Sequence, residues 1–362
     1  MEAPVICSTI AGIGFVTLNR PAALNALSLE MIRIMNDALR RWRDDDQVVA
    51  ILFRSSSPRA LSAGGDIRFF HQIANGGPSG GSALLEDFFS EEYQLNHLIH
   101  TYSKPSFALM DGIVMGGGMG ISQGTSMRVV TERTRMGMPE VSIGLFPDVG
   151  GGYFLSRAQG RAGFELALTG RIINASDALT AGLADVAVPS DALAGIEDVI
   201  RAAKPGRQVE ALSGYLREQA LSFQHEDGVL KKEADAIKRH FSHADVPSIL
   251  ASLRSDPGDY AAEALSLIAQ RSPLMLCVTL EQLRRAADQD IAECLRMERT
   301  IMRRSFEGTE ILEGIRARVI DKDNAPRWLH DSVEQVRTEE IERFFTPAWP
   351  TYAHPLRDLG SN

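Results

Sequence analysis

Leu61-Ser62-Ala63-Gly64-Gly65-Asp66-Ile67-Arg68 ends a short apolar run on paired glycines and opens a helix on an acidic residue. With no Cβ to shield the backbone, the amide of Gly65 can point into a cleft. Further on, Gly116-Gly117-Gly118-Met119-Gly120 follows a strand ending near Met110 and opens the next helix. The first-turn amides of such a helix have no intrahelical partner and are open to an anionic oxygen. Two amides converging from separate loops make an oxyanion hole, where losing one donor typically costs about 10²–10³ in rate. A third segment, Met138-Pro139-Glu140 through Phe146-Pro147-Asp148-Val149-Gly150-Gly151-Gly152, places two carboxylates across a proline-broken turn. Glu140 and Asp148 are candidates for acid, base or nucleophile. Each feature has a plain alternative: glycines at strand-to-helix joints serve tight packing, and Glu140 after a proline suits an ordinary first-turn carboxylate.

Outward from these loops the chain reads as α/β. Val5 to Ile10 and Phe15 to Leu18 are expected strands around the glycine-bearing turn Ala11-Gly12-Ile13-Gly14. Ser28 caps a helix through about Trp42, with Leu29, Ile32, Met35, Leu39 and Trp42 at helical spacing. Val48 to Phe53 and Phe107 to Met110 read as short buried strands, so a largely parallel sheet with crossover helices is expected. Beyond about residue 190 the pattern turns helical, with helices near 191–203, 207–221, 227–242, 245–254, 257–270, 276–287 and 289–304. This change in character suggests a core over 1–190 and a helical region over 191–362. Asn75 to Ser82, rich in Gly, Ser and Pro, reads as a mobile loop.

Composition narrows the function classes. With 44% hydrophobic and 23% charged residues over 362 positions, the chain can bury a sizeable core. Its net charge of -9 is dispersed and offers no basic stripe, which argues against nucleic acid or an anionic membrane as partner. Cys7, Cys277 and Cys294 are far apart and show no metal or redox spacing, consistent with a reducing compartment. The N-terminus becomes strand-like at once, unlike a signal or transit peptide, and a cytoplasmic protein is expected.

Asn19-Arg20-Pro21 with Leu24-Asn25-Ala26-Leu27-Ser28, then Ala63 to Ile67, then Gly116-Gly117-Gly118, resembles the crotonase (enoyl-CoA hydratase/isomerase) superfamily. Glu91-Glu92-Tyr93, the run Met138 to Phe154, Leu168-Thr169-Gly170, Ser272-Pro273 and Glu313-Gly314-Ile315-Arg316-Ala317 to Asp321-Lys322-Asp323 extend the likeness to its 3-hydroxyisobutyryl-CoA hydrolase branch, over nearly the whole chain. The resemblance implies a spiral of ββα units, a helical C-terminal region covering the acyl end of the site, and a CoA thioester held between the amides of Gly65 and Gly117. It also brings Asp66, Ile67 and Glu92 into the substrate-binding set. The hydratases carry one catalytic glutamate just after the triple glycine, where this chain has Gly120, and a second that maps to Glu140. The hydrolase branch has an aspartate at the position of Asp148.

The expected reaction is hydrolysis of a short 3-hydroxyacyl-CoA, with 3-hydroxyisobutyryl-CoA of valine catabolism first and a 3-hydroxypropionyl group next. Glu140 either attacks the thioester or acts as base on water, while Asp148 and Glu92 orient the acyl hydroxyl. No cofactor is expected beyond the coenzyme A of the substrate, and the helical region is a candidate surface for a homo-oligomer. Alternatives are a hydratase or isomerase and a non-catalytic acyl-CoA-binding protein. Gly120-Ile121-Ser122-Gln123-Gly124 matches the serine-hydrolase pattern, but Ser122 should lie inside a helix rather than on a sharp elbow. His97 and His100 share a helical face without an evident third metal ligand. Arg171 and Arg316 are basic residues open to a role with the CoA phosphates, with ordinary surface charge as the default.

Overall fold

A computed structural model describes residues 3–75, 82–224 and 226–360. The centre of the glycine-rich patch read as a mobile loop, residues 76–81, lies outside the described residues. The chain divides into two compact units, each drawn from three stretches: Met1–Gly65, Leu95–Met136 and Ile173–Lys231 form the first, and Asp66–Gln94, Gly137–Ile172 and Lys232–Asn362 the second. The division expected at residue 190 follows chain order, whereas these units interleave along it. Composition reports a change of element type along the chain and carries no record of which stretches pack together.

Among the described residues the strands are β1 (Val5–Ile10), β2 (Ile13–Leu18), β3 (Ala50–Ser55), β4 (Ala60–Ser62), β5 (Ser106–Met110), β6 (Ile113–Met115), β7 (Met127–Val130), β8 (Arg135–Gly137) and β9 (Val186–Ala187). They form a six-stranded sheet in the order β1-β2-β3-β5-β7-β9 and a three-stranded sheet in the order β4-β6-β8. From β3 onward, each two-strand step leaves its first strand in the large sheet and its second in the small one, and a helix follows; this is the crotonase-like spiral of ββα units. The β1–β2 pair is antiparallel, and the large sheet is otherwise parallel.

The hairpin turn is shorter than the sequence suggests. Ala11 and Gly12 both take positive φ, 45° and 85°, so two residues close the hairpin, and Ile13 and Gly14 join β2 opposite Ile10 and Thr9. In parallel register Ile13 pairs with Ala50, and so β3 begins at Ala50 rather than Val48. Ser28 caps the helix Leu29–Arg43, its hydroxyl accepting from the Met31 amide at 3.3 Å. That helix buries Ile32, Met35, Leu39 and Trp42 as the spacing predicts. A Cβ at Gly14 would stand 2.7 Å from the Trp42 ring, so the glycine lets that ring lie on the strand. Ile13, Phe15, Leu52, Phe107 and Val129 from the sheet pack with Ile196, Ile200, Leu212 and Leu216 in the core of the first unit. Fully burying a side chain of this kind contributes roughly 1.5–3 kcal/mol.

Beyond residue 190 the described residues hold helices and no strand. The helix expected from 276 begins at Pro273, because proline is well placed in a first turn and Ser272 caps it through the Met275 amide at 3.1 Å. The helix Ile291–Ser305 opens on a capping box between Asp290 and Glu293. Two helices not anticipated are Glu310–Ile315, which runs into a π-turn at Arg316–Ile320, and Thr338–Phe345.

Candidate active site

In the first unit the glycine loops meet. The Leu27 amide donates to the carbonyl of Gly64 at 2.8 Å, leaving the Gly65 amide out of that bond. Asn25, left-handed at φ 54°, donates its amide group to Ser55 Oγ and to the carbonyls of Ala60 and Leu61, and so fastens the motif around it to β4. Gly64 itself sits at φ 101°, and a Cβ there would lie 3.2 Å from the Met115 carbonyl and 3.7 Å from the Gly117 nitrogen. A Cβ on Gly118 would lie 2.6 Å from the Ser62 carbonyl. The 64–65 and 116–118 backbones thus touch, and Gly117 opens the helix Gly117–Gln123 with a first-turn amide that has no intrahelical acceptor. Asp66 and Ile67 belong to the second unit, where Asp66 Oδ1 accepts from the Phe69 amide at 3.4 Å at the head of the helix Ile67–Asn75.

The carboxylates gather in the second unit. Glu92 and Tyr93 lie on the helix Ala83–His100, Glu140 opens a 3-10 turn at Glu140–Ile143, and Asp148 precedes the short helix Gly151–Ser156. All four side chains are buried. Tyr93 donates its hydroxyl to Asp148 Oδ2 at 2.8 Å, and its ring stands edge-on to Phe89, which in turn contacts Phe70, Phe88 and Phe306.

Burial pushes Glu140 well above the ordinary carboxylate range, and the charge of Asp148 adds to the effect. Glu92 is raised by the same burial and by both Asp148 and Glu140. Asp148 is pushed up to about 7 by burial, against the hydrogen bond from Tyr93. The charged neighbours acting on Glu92 and Glu140 are carboxylates, so like charge adds to the dominant effect of burial. Among the described residues, Glu92 Oε1 and Glu140 Oε2 find no hydrogen-bond partner. A buried carboxylate oxygen left without a donor is costly, and an acyl hydroxyl or a water molecule would satisfy it.

Comparison with known proteins gives this arrangement its setting. The sequence model described as enoyl-CoA hydratase/isomerase matches residues 13–345. The chain belongs to the enoyl-CoA hydratase/isomerase family. Among curated relatives, the mitochondrial 3-hydroxyisobutyryl-CoA hydrolase of Gallus gallus is 38% identical over 95% of this chain and 89% of its own. The enzyme of the same name from Homo sapiens is 38% identical over 92% of this chain and 86% of its own. These likenesses place the chain in the 3-hydroxyisobutyryl-CoA hydrolase branch of the family. Among solved structures, a carnitinyl-CoA dehydratase from Mycobacterium thermoresistibile superposes with a TM-score of 0.88 at 36% identity, covering 96% of this chain and 98% of that one. An enoyl-CoA hydratase from Rhodobacter sphaeroides does so with 0.84 at 37% identity, covering 95% and 98%.

Other candidates fall into structural roles in this crotonase-family protein. Ser122 is fully buried inside its helix and donates to the carbonyl of Gly118 at 2.8 Å, so it is no exposed nucleophile. Arg171 is buried and bonds Glu165 at 2.7 Å and Glu263 at 2.9 Å. Arg316 spans Glu313, Asp321 and Asp323. Both guanidinium groups are therefore engaged by the chain's own carboxylates. No trio of His, Cys, Asp or Glu fit to hold a metal occurs among the described residues, and no helix there is long and apolar enough to cross a membrane.

Sequence reading missed Glu298 and Gln282, and quoted Tyr93 without giving it a role. Glu298 is fully buried on the helix Ile291–Ser305, one turn from Leu295 and Met302, and burial raises it to about 8 against hydrogen bonds from the Gly150 and Gly152 amides. The available signal was an acidic residue on the apolar face of an amphipathic helix.

Proposed function

We propose that this chain hydrolyses a short 3-hydroxyacyl-CoA thioester, with 3-hydroxyisobutyryl-CoA the first substrate to test. The observation that carries the reading is that Glu140 and Asp148 are both buried, while the glycine-lined helix Gly117–Gln123 has no carboxylate of its own. Adding water across a double bond asks for paired carboxylates that hold the water, and Gly120 removes one of the two family positions. Attack on a thioester puts negative charge on the carbonyl oxygen, which the amides of Gly65 and Gly117 would stabilise as an oxyanion hole.

Glu140 supplies the chemistry in one of two ways. As nucleophile, its carboxylate bonds to the carbonyl carbon, the C–S bond breaks, CoA leaves as thiolate and takes up a proton, and water cleaves the resulting mixed anhydride. As base, it takes a proton from the water that attacks directly. Asp148 and Glu92 orient the 3-hydroxyl, and a site built to pair that group rejects acyl chains lacking it. The reading uses no cofactor, nucleic acid or membrane, and assigns any homo-oligomer contact to the helical region. It places the protein in valine catabolism and in the cytoplasm, although the compared relatives are mitochondrial by name; cell fractionation decides the compartment.

The test is free-thiol release over a small acyl-CoA panel, run beside crotonyl-CoA hydration. Release from 3-hydroxyisobutyryl-CoA should exceed hydration, and Asp148→Asn should bring the kcat/KM ratio between a 3-hydroxyacyl-CoA and its deoxy analogue toward unity. Comparable hydration would favour the second reading, a hydratase or dehydratase, which has the printed names of both solved structures behind it. Single turnover in ¹⁸O water tests the nucleophilic route: label in the Glu140 carboxylate supports an anhydride cleaved at the glutamyl carbon, whereas label confined to the product acid fits either the base or an anhydride cleaved at the acyl carbon, which trapping with hydroxylamine separates.

A further inference from the structure

We propose that Glu298, braced by Gln282, is a positioning residue that sets the turn carrying Asp148 and fixes where that carboxylate points. The inference rests on Asp148 acting on the substrate as argued above. The Gly150 amide donates to Glu298 Oε2 and the Gly152 amide to Glu298 Oε1, each at 2.8 Å. On the other side of Asp148, Gln282 donates one amide proton to the Pro147 carbonyl at 2.7 Å and another to Glu298 Oε1 at 3.2 Å. Two helices, Pro273–Ala286 and Ile291–Ser305, thereby hold the backbone on both flanks of Asp148 through side chains that are themselves fully buried.

The turn needs such a hold. Val149 and Gly150 are consecutive residues at positive φ, 53° and 88°, and the first is β-branched, a conformation such a residue adopts only under constraint from its surroundings. A Cβ on Gly152 would stand 3.0 Å from Glu298 Oε1 and 3.1 Å from Gln282 Nε2, so the glycine leaves room for the carboxylate to reach its amide. A leucine at position 298 would serve packing alone. A carboxylate whose two oxygens match the amides either side of Gly151 specifies the turn.

The groups that bear on Asp148 are Tyr93 and Glu92 on the helix Ala83–His100, Glu140 on its 3-10 turn and Glu298 on Ile291–Ser305, while Pro273–Ala286 contributes the neutral Gln282. Glu298 also faces Cys294 one turn earlier on its own helix. The carboxylates of Glu298 and Asp148 repel each other when both are charged, which links the turn's geometry to the ionisation of Asp148.

Glu298→Gln keeps the side chain's size but turns an N–H group toward one of the two backbone donors. Kcat should fall about tenfold to a hundredfold with KM little changed, the cost of a misplaced group. The acid limb of kcat/KM should also move to higher pH, because a displaced turn loosens the Tyr93 hydrogen bond that lowers the proton affinity of Asp148. Gln282→Met removes the other brace and should lower kcat and move the limb the same way, by less. Glu165→Gln breaks the buried pair with Arg171 in the same unit and serves as the control for stability alone: it should lower Tm and leave the limb in place. A folded Glu298→Gln protein with wild-type kcat and an unmoved limb overturns the proposal. If that variant does not fold, unchanged kcat in Gln282→Met overturns it. Asp148→Asn run alongside locates the failure. Altered acyl discrimination there with an inert Glu298→Gln rejects only the positioning role, whereas unaltered discrimination rejects the assignment of Asp148 and the proposal with it.

Discussion

The glycine loops of the first unit and the carboxylate cluster of the second are built on opposite principles. In the loops, the proposed function rests on backbone: Gly64 at φ 101° and the bare face of Gly118 let two chain segments approach within van der Waals range, and the proposed donors are amides that any residue possesses. In the cluster, it rests on side chains. Glu92, Tyr93, Glu140, Asp148 and Glu298 come from four separate segments and are buried, and the charge of Asp148 raises the pKa of Glu92, Glu140 and Glu298. An amide donor carries no net charge and needs only space, whereas a buried carboxylate needs donors or a ligand to offset lost hydration. The loops should therefore fail through added bulk, and the cluster through changes of charge.

The largest expected effect tests the cluster. Glu140→Gln preserves shape and removes the nucleophile or base, so turnover by thiol release should fall about 10²–10⁴-fold, the usual worth of general acid–base catalysis, with substrate affinity nearly unchanged. If instead Asp148→Asn abolishes turnover and Glu140→Gln alters only acyl discrimination, the two residues exchange roles.

Within the loops, Gly117→Val should block turnover about 10²–10³-fold, as loss of an oxyanion donor does, while circular dichroism reports an intact fold. Gly118→Ala should act differently. Its Cβ would press on the Ser62 carbonyl at 2.6 Å, so it should destabilise by roughly 1–3 kcal/mol, as overpacking does, and lower Tm. An active, folded Gly117→Val protein would reduce the whole cluster to packing and remove the contrast between the two regions.

The smallest effect is a pH dependence of stability without ligand. Asp148 and Glu298 have folded-state values of about 7 and about 8, above their ordinary 3.8 and 4.5, so the folded state binds protons that the unfolded chain has released. Their contribution is fully present below the unfolded values and is lost as pH rises through the folded ones. Urea midpoints should therefore fall across that window, and Asp148→Asn should flatten the slope. A midpoint that rises with pH there would contradict the burial of uncompensated carboxylates.

How much of this was legible in the chain differs between the regions for a physical reason. Ser28 as cap, the buried stripe Ile32-Met35-Leu39-Trp42 and the glycines before two helix starts all act over a few residues, and their spacing is visible in one dimension. Glu140 and Asp148 stood out in their proline-broken segment, but neighbouring residues alone left their roles open, and the family resemblance supplied them. Helix starts slipped where a proline served as a first-turn residue, at Pro273, and the hairpin tightened because Ala11 took a positive φ that nothing nearby announced.

By itself the sequence determined an α/β order of elements with a helical continuation and the two glycine loops, because periodicity, caps and conformational freedom are local properties of the backbone; the spiral of ββα units and the roles of the acidic residues came from the family resemblance. Only the tertiary structure decided which carboxylates are dry and which share a site. Glu298 reaches the Gly150 amide across 148 positions of chain, Tyr93 reaches Asp148 across 55, and Arg171 is drawn into the pair with Glu165 rather than left on the surface. Burial, and with it the proton affinity of a carboxylate, is set by what the rest of the chain packs against the residue, and no short stretch of sequence contains that information.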